Sequence, residues 1–204
     1  MSQGGLVHVI DDDDAVRDSL ATLLSAIGFE TRSYPSATAF LEGLDRRDPG
    51  CVITDVQMPG MSGLELLDRL SERSADFPVI VLTGRADVAM AVDALKAGAS
   101  DFIEKPFDSD LLLAAVQAAL TRLSEARARI SSLTDHAQRI AGLSSRERDV
   151  LGGVVAGSSN KEIARALGIS PRTVESYRAN IMMKTQAASL SELVRMAWLL
   201  EDPV

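Results

Sequence analysis

Five side chains stand where short apolar runs end. Asp11 and Asp12 directly follow Leu6–Ile10, and Asp55 follows Cys51–Thr54. Three carboxylates converging on one crevice would repel one another, so the arrangement calls for a hard cation. Oxygen ligands without a soft one favour Mg²⁺, which keeps several of its waters. Thr83 closes Val79–Thr83 and precedes Gly84, whose missing side chain leaves room beside the hydroxyl. Lys105 follows Asp101–Glu104 and supplies the nearby cation that could pair with added negative charge. Aspartates after strands also serve as helix caps, but Asp, Asp, Thr and Lys at the same end of four strands argue for a site. A second group lies far along the chain. Residues 160–184 carry Lys161, Arg165, Arg172, Arg178 and Lys184 against Glu162 and Glu175, a surface suited to a polyanion.

The elements that must position the first group alternate. Leu6–Ile10, Glu30–Tyr34, Cys51–Thr54, Val79–Thr83 and Asp101–Glu104 have strand character. Between them Val16, Leu20, Leu23, Leu24 and Ile27 recur at helical spacing and stop at Gly28. Ser36 can cap a helix carrying Phe40, Leu41 and Leu44, Ser62 one carrying Leu64, Leu67 and Leu70, and Val88–Ala97 forms another before Gly98. Five such units predict a parallel sheet covered on both faces, with its site beyond the carboxyl ends of the strands.

Charge divides the 204-residue chain. Residues 1–121 hold 20 acidic and 9 basic side chains, net −11, whereas residues 122–204 hold 9 and 12, net +3. The contrast predicts two domains with different partners. One cysteine rules out a disulfide framework, and with two histidines it is too little for a zinc cluster. Cys51 itself reads as a buried small hydrophobe. Gly4–Ile10 lacks the basic flank of a signal peptide, and Leu111–Leu120 is about half a membrane span. A soluble, cytoplasmic protein without a membrane partner is expected.

Val9-Ile10-Asp11-Asp12, the segment Thr54–Gly63 with Asp55, Gln57, Met58 and Pro59, Leu82-Thr83-Gly84 and Lys105-Pro106-Phe107 together resemble a response-regulator receiver domain over residues 6–120. The resemblance implies an α/β flavodoxin-like, doubly wound sheet of order 2-1-3-4-5. It also implies that Asp55 takes a phosphoryl group from the phosphohistidine of a sensor histidine kinase. Mg²⁺ would be held by Asp12, Asp55 and the main-chain carbonyl of Gln57, with Asp11 acting through water. Phosphoryl transfer needs mainly positioning and counter-charge, which suits Lys105 and the Thr83 hydroxyl. The family pattern further implies a cis Lys105–Pro106 peptide and a switch in which Thr83 moves inward, Phe102 follows, and the face holding Val92 and Lys96 dimerises. Asp13 and Asp14 read as a helix N-terminus favouring negative charge. The chemistry alone leaves a rival, a Mg²⁺-dependent aspartyl phosphatase, but the chain has no insertion between its βα units to form a substrate pocket.

From Leu112 to Ile140 the apolar positions alternate by four and three residues, a heptad seam. Its first half belongs to the last receiver helix. Residues 122–142 then form a helical linker, either one strand of a dimeric coiled coil or a monomeric spacer, and His136 lies off the seam. Beyond it, Ser144 and Glu147 make a capping box. Residues 160–174 read as helix, tight turn, helix: Ala164 is small at a crossing, Gly168 accepts a left-handed turn, and Ser170-Pro171 starts the second helix. Ile163, Leu167, Ile169, Val174 and Tyr177 face the scaffold.

Residues 143–200 are similar to the LuxR/GerE-type helix-turn-helix domain through Arg146-Glu147, Gly157, Asn160–Ala164, Thr173-Val174-Glu175 and Lys184. That likeness implies a small all-α DNA-binding domain with its recognition helix near Pro171–Lys184. Lys161 joins the DNA-binding set, Arg172, Arg178 and Lys184 would meet phosphates, and Thr173, Glu175 and Ser176 would face bases. Tyr177 and Thr185 depart from the residues common at those positions. A last helix begins at a second capping box, Ser189 to Glu192, and carries Leu193, Val194, Ala197, Trp198 and Leu200; Trp198 is a dimer contact or a core residue. The order of the two domains, with Asp87-Val88 and Met90-Ala91-Val92, is most like the FixJ subfamily. Membership would imply a FixL-like oxygen-sensing kinase, promoter DNA, RNA polymerase and a phospho-dependent homodimer as partners, and activation of nitrogen-fixation or microaerobic genes. The expected layout is a receiver over 1–121, the linker over 122–142 and the helix-turn-helix domain over 143–204.

Overall fold

Side chains that alternate in direction along each strand are sorted onto two core layers in the first half. The computed structural model describes residues 4–44, 48–84 and 88–201, with backbone only at residues 200 and 201; Asp87 and the Leu200 side chain lie outside that description. Strands β1 (Leu6–Ile10), β2 (Glu30–Tyr34), β3 (Cys51–Asp55), β4 (Val79–Thr83) and β5 (Asp101–Glu104) pair in parallel in the order β2-β1-β3-β4-β5. Val7, Val9, Cys51, Ile53, Ile80 and Leu82 point to one layer, where α1 (Asp14–Ala26) and the start of α5 (Ser109–Ala141) close over them with Leu20, Leu24, Leu112 and Val116. Ile10, Val52, Val79 and Val81 point to the other, under α2 (Ala37–Leu41), α3 (Gly63–Leu70) and α4 (Val88–Lys96). Each fully buried aliphatic or aromatic side chain contributes about 1.5–3 kcal/mol to this arrangement.

Several expectations meet the structure with a shift. Helix α2 stops at Leu41, so Leu44 packs against the core from beyond the helix. Strand β3 extends one residue further than its apolar run, placing Asp55 as its last residue. Asp13 and Asp14 stand at the N-terminus of α1 as expected, Asp13 as its cap, accepting from Ala15 N and Val16 N. Gly84 is not demanded by space, since a Cβ there would touch none of the described atoms. Cys51 is fully buried, and burial pushes its thiol up to about 12.

His8 is the polar exception in the sheet. It is fully buried in β1, with its ring nitrogens on Tyr34 Oη at 3.2 Å and the Asp48 carbonyl at 3.0 Å, and Phe40 edge-on at 5.3 Å. Those partners and the aromatic walls explain how an imidazole occupies a position where period-two alternation predicts an apolar residue.

Contacts divide the chain into two compact units that meet between Arg127 and Ala128, inside α5. Leu123 is buried against the first unit, whereas Ile130 is 55% exposed and Ile140 packs against the second unit's core. The second unit adds α6 (Ser145–Val155), α7 (Asn160–Leu167), α8 (Pro171–Thr185) and α9 (Leu190–Glu201). Capping boxes start α6 through Ser144 and Glu147, and α7 through Ser159 and Glu162. Only half of the box expected at α9 forms: Ser189 Oγ accepts from Glu192 N, while the Glu192 carboxylate takes Ala188 N. Gly168 ends α7 at φ 66°, and Pro171 opens α8 behind the Ser170 cap. Ile163 and Val174 are buried; Leu167, Ile169 and Tyr177 pack partly buried against the same core.

Candidate phosphoryl site and nucleic-acid interface

The parallel register brings the ends of β1, β3, β4 and β5 together, because Ile10 lies beside Thr54, Asp55 beside Leu82 and Thr83 beside Glu104. Asp11 is 3% and Asp55 9% exposed. The Lys105 ammonium donates to Asp55 Oδ1 at 2.6 Å and to Asp11 Oδ2 at 3.0 Å. The remaining oxygens are held by the main chain: Asp55 Oδ2 accepts from Gln57 N at 2.6 Å, and Asp11 Oδ1 from Asp13 N at 2.9 Å. Burial pulls the Lys105 pKa down, but the hydrogen bonds to Asp55 and Asp11 outweigh it and hold the ammonium above the ordinary lysine value. Arg17 donates to the Asp11 carbonyl and to Asp14, bracing the loop from α1.

Asp12 is exposed, and among the described residues no three acidic, histidine or cysteine side chains close on one point. Asp11 and Asp55 hold the lysine ammonium between them. Such hard oxygen donors fit Mg²⁺, an ion bound through one or two carboxylates plus waters. Thr83 is 1% exposed at the end of β4, and its carbonyl accepts from Lys105 N at 2.7 Å. The Lys105–Pro106 peptide is cis. Phe102 packs partly buried against the core layer that contains α4, while Val92 is 42% exposed and Lys96 is exposed.

One residue of the site had only its place in a motif to mark it. Gly63 opens α3 against Asp55, and a Cβ there would lie 2.1 Å from the Asp55 carbonyl oxygen. Its sequence signal is a glycine directly after a Ser62 cap, where most residues would serve equally well were no backbone so close.

In the second unit, α8 turns Arg172, Glu175, Ser176, Ala179, Asn180 and Met183 outward and buries Val174, Ile181 and Thr185. Lys161 is exposed at the start of α7. The expected phosphate contacts separate. Arg172 is exposed, Arg178 Nη1 donates to Asn160 Oδ1 at 2.8 Å, and Lys184 donates to Glu147 Oε2 at 2.8 Å. Glu147 is 3% exposed. Lys184 first, then the Ser144 main chain and hydroxyl, hold its carboxyl down at about 2. Lys184 is thus the counter-ion of a buried carboxylate, a structural duty that the sequence reading did not give it. Of the base-facing candidates, Thr173 Oγ1 pairs with Ser170 Oγ and Ser176 Oγ donates back to Arg172 O, while Glu175 and Ser176 are both exposed. Trp198 is 58% exposed, so it is not a core residue.

Comparison with known proteins identifies both domains. Residues 7–117 match the response regulator receiver domain, and residues 141–197 match the luxR family of bacterial regulatory proteins. The transcriptional regulatory protein FixJ of Azorhizobium caulinodans is 57% identical over 95% of this chain and 92% of its own length. FixJ of Bradyrhizobium diazoefficiens is 50% identical over 97% and 96%. Among solved structures, response regulator StyR superposes with TM-score 0.84 at 39% identity, covering 95% of this chain and 98% of that one. Full-length FixJ from B. japonicum gives 0.60 at 49%, covering 97% of each.

Proposed function

The chain belongs to the FixJ-type two-component response regulators, a receiver domain followed by a luxR-type helix-turn-helix domain, and from that membership we propose how its residues carry a phosphoryl signal to DNA. The observation that carries the reading is the shared ammonium: Lys105 ties Asp55, on the last residue of β3, to Asp11 at the sheet's carboxyl edge. An Asp55 oxygen attacks the phosphorus of a kinase phosphohistidine, the P–N bond breaks, and the imidazole leaves with its electron pair. Gln57 N holds the other Asp55 oxygen, which fixes the carboxylate plane. Asp55, Asp12 and the Gln57 carbonyl, with Asp11 through water, would hold a Mg²⁺ ion, which would supply charge neutralisation for the transferring group. Lys105 then pairs with the new phosphoryl charge. An apolar cleft beside Lys105, lined by Val16, Leu20, Leu23 and Phe107, offers the sensor kinase a docking face.

In the same reading the Thr83 hydroxyl donates to a phosphoryl oxygen, Phe102 takes up the space, and the α4–β5 face with Val92 and Lys96 pairs two receivers. Trp198 on α9 extends the homodimer on DNA. To move the dimer-competent state from 1% to 99%, the phosphoryl group must favour it by about 5.5 kcal/mol. The FixJ likeness supports the further proposal of a FixL-like kinase, RNA polymerase, nitrogen-fixation or microaerobic promoters and a cytoplasmic location. No helix among the described residues is long and apolar enough to cross a membrane. The working division is receiver 1–121, linker 122–142 and DNA-binding domain 143–204. Labelling with a phosphodonor tests the core of this reading. Asp55→Asn, nearly isosteric, should fold normally and take no label; base-labile label persisting on the variant would move the acceptor elsewhere.

A further inference from the structure

We propose that Arg139, a residue of the linker helix, is a positioning residue for sequence recognition, holding the C-terminal end of α8 by its main chain. The inference rests on α8 being the recognition helix. Arg139 Nη1 donates to the Thr185 carbonyl oxygen at 3.3 Å, and Thr185 is the last residue of α8. The final carbonyls of a helix lack partners within it and carry the negative end of its dipole, so a guanidinium there both satisfies an acceptor and complements charge. The helix has no glycine to finish it: Gln186 takes the left-handed cap at φ 57°. The Thr185 hydroxyl is fully buried and is spent inside the helix on Ile181 O at 2.7 Å, which leaves the carbonyl for Arg139.

Arg139 is itself well placed to hold a position. Its neighbour Ile140 packs against the core that contains Ile181, and Leu143 is buried there with its N–H on Ile140 O at 3.1 Å. Helix α8 is thus tied at three levels: the Ser170 cap at its start, Asn160 on Arg178 midway, and at its end Glu147 on Lys184 and Arg139 on the main chain. The Lys184 tie holds α8 by a side chain, whereas Arg139 holds it by a main-chain carbonyl. Releasing it lets the outward row of Arg172, Glu175 and Ser176 shift against a base edge. Phosphate contacts carry no sequence information, so the loss falls on the selected duplex.

The full-length phosphorylated chain is titrated against two duplexes: one selected by the wild type from a randomised pool, and a scrambled duplex of equal length. Arg139→Ala should lower the ratio of selected to scrambled affinity roughly tenfold, the scale of one lost base contact. Scrambled-duplex affinity and the log–log salt slope should stay as in the wild type, and Arg139→Lys should restore most of the ratio. A slope flattened by about 0.9 would make Arg139 a phosphate ligand and overturn the proposal. So would equal losses on both duplexes, or a ratio unchanged by Arg139→Ala. Glu175→Ala serves as the separate check on α8: if it leaves the ratio unchanged, the recognition-helix reading fails, whatever Arg139 does.

Discussion

Two single residues carry constraints that can be measured directly. At Gly63, an added methyl would strike main chain rather than a movable side chain, so Gly63→Ala must displace Asp55 or α3. It should destabilise the receiver by about 1–3 kcal/mol and slow phosphoryl labelling, read by thermal melting and phosphodonor kinetics. Gly84→Ala, which meets open space, should change stability by less than about 0.5 kcal/mol. Glu147 sets an acid limit on the second unit. Its carboxyl takes a proton only near pH 2 when folded and near pH ~4.3 when unfolded, so the unfolded chain binds protons first as pH falls. The contribution is complete above that unfolded value and is lost as pH falls towards 2. Trp198 fluorescence should report a steeper loss of stability over this window than in Glu147→Gln. At this scale the sequence made the carboxylates, Thr83 and Lys105 legible through their place after apolar runs. It did not mark Lys184 as Glu147's counter-ion, because that pairing joins residues 37 apart and depends on how α6 crosses α8.

At the scale of elements, strand periodicity and capping residues located β1, β2, β4 and β5 and the starts of α3, α6 and α8 with little error. The failures have physical causes. Helix α2 is a short element that stops at Leu41, before Leu44 packs on the core, and β3 ends on a charged residue that apolar periodicity truncates. Basic residues on α8 looked alike in sequence, yet Arg172 is exposed, whereas Lys184, though exposed, pairs with Glu147 of α6. Measured against salt, Arg172→Ala should flatten the log–log slope of DNA binding by about 0.9, while Lys184→Met should leave that slope near wild type and instead lower the melting temperature of the second unit. Equal flattening by both variants would return Lys184 to the phosphate-binding set.

For the whole molecule, the charge contrast between the halves anticipates two bodies, and the contacts divide the chain between Arg127 and Ala128. The turns of α5 beyond that point pack as part of the second unit through Ile140 and Arg139, which a heptad pattern alone could not reveal, since a seam reads the same against a partner chain or against its own domain. The burial of Cys51 has a practical consequence here. The chain's one thiol sits in the central sheet and its pKa is raised to about 12, so a maleimide can reach it only when the receiver opens. Modification should run slower than in denaturant by the opening equilibrium, ~10³-fold or more. Rapid labelling under native conditions would contradict the burial. The cysteine is thus a native clock for one half of the protein, and Trp198 gives an optical signal from the other. Without an added dye or an engineered residue, the two read-outs can tell whether phosphorylation stiffens the receiver alone or both bodies together.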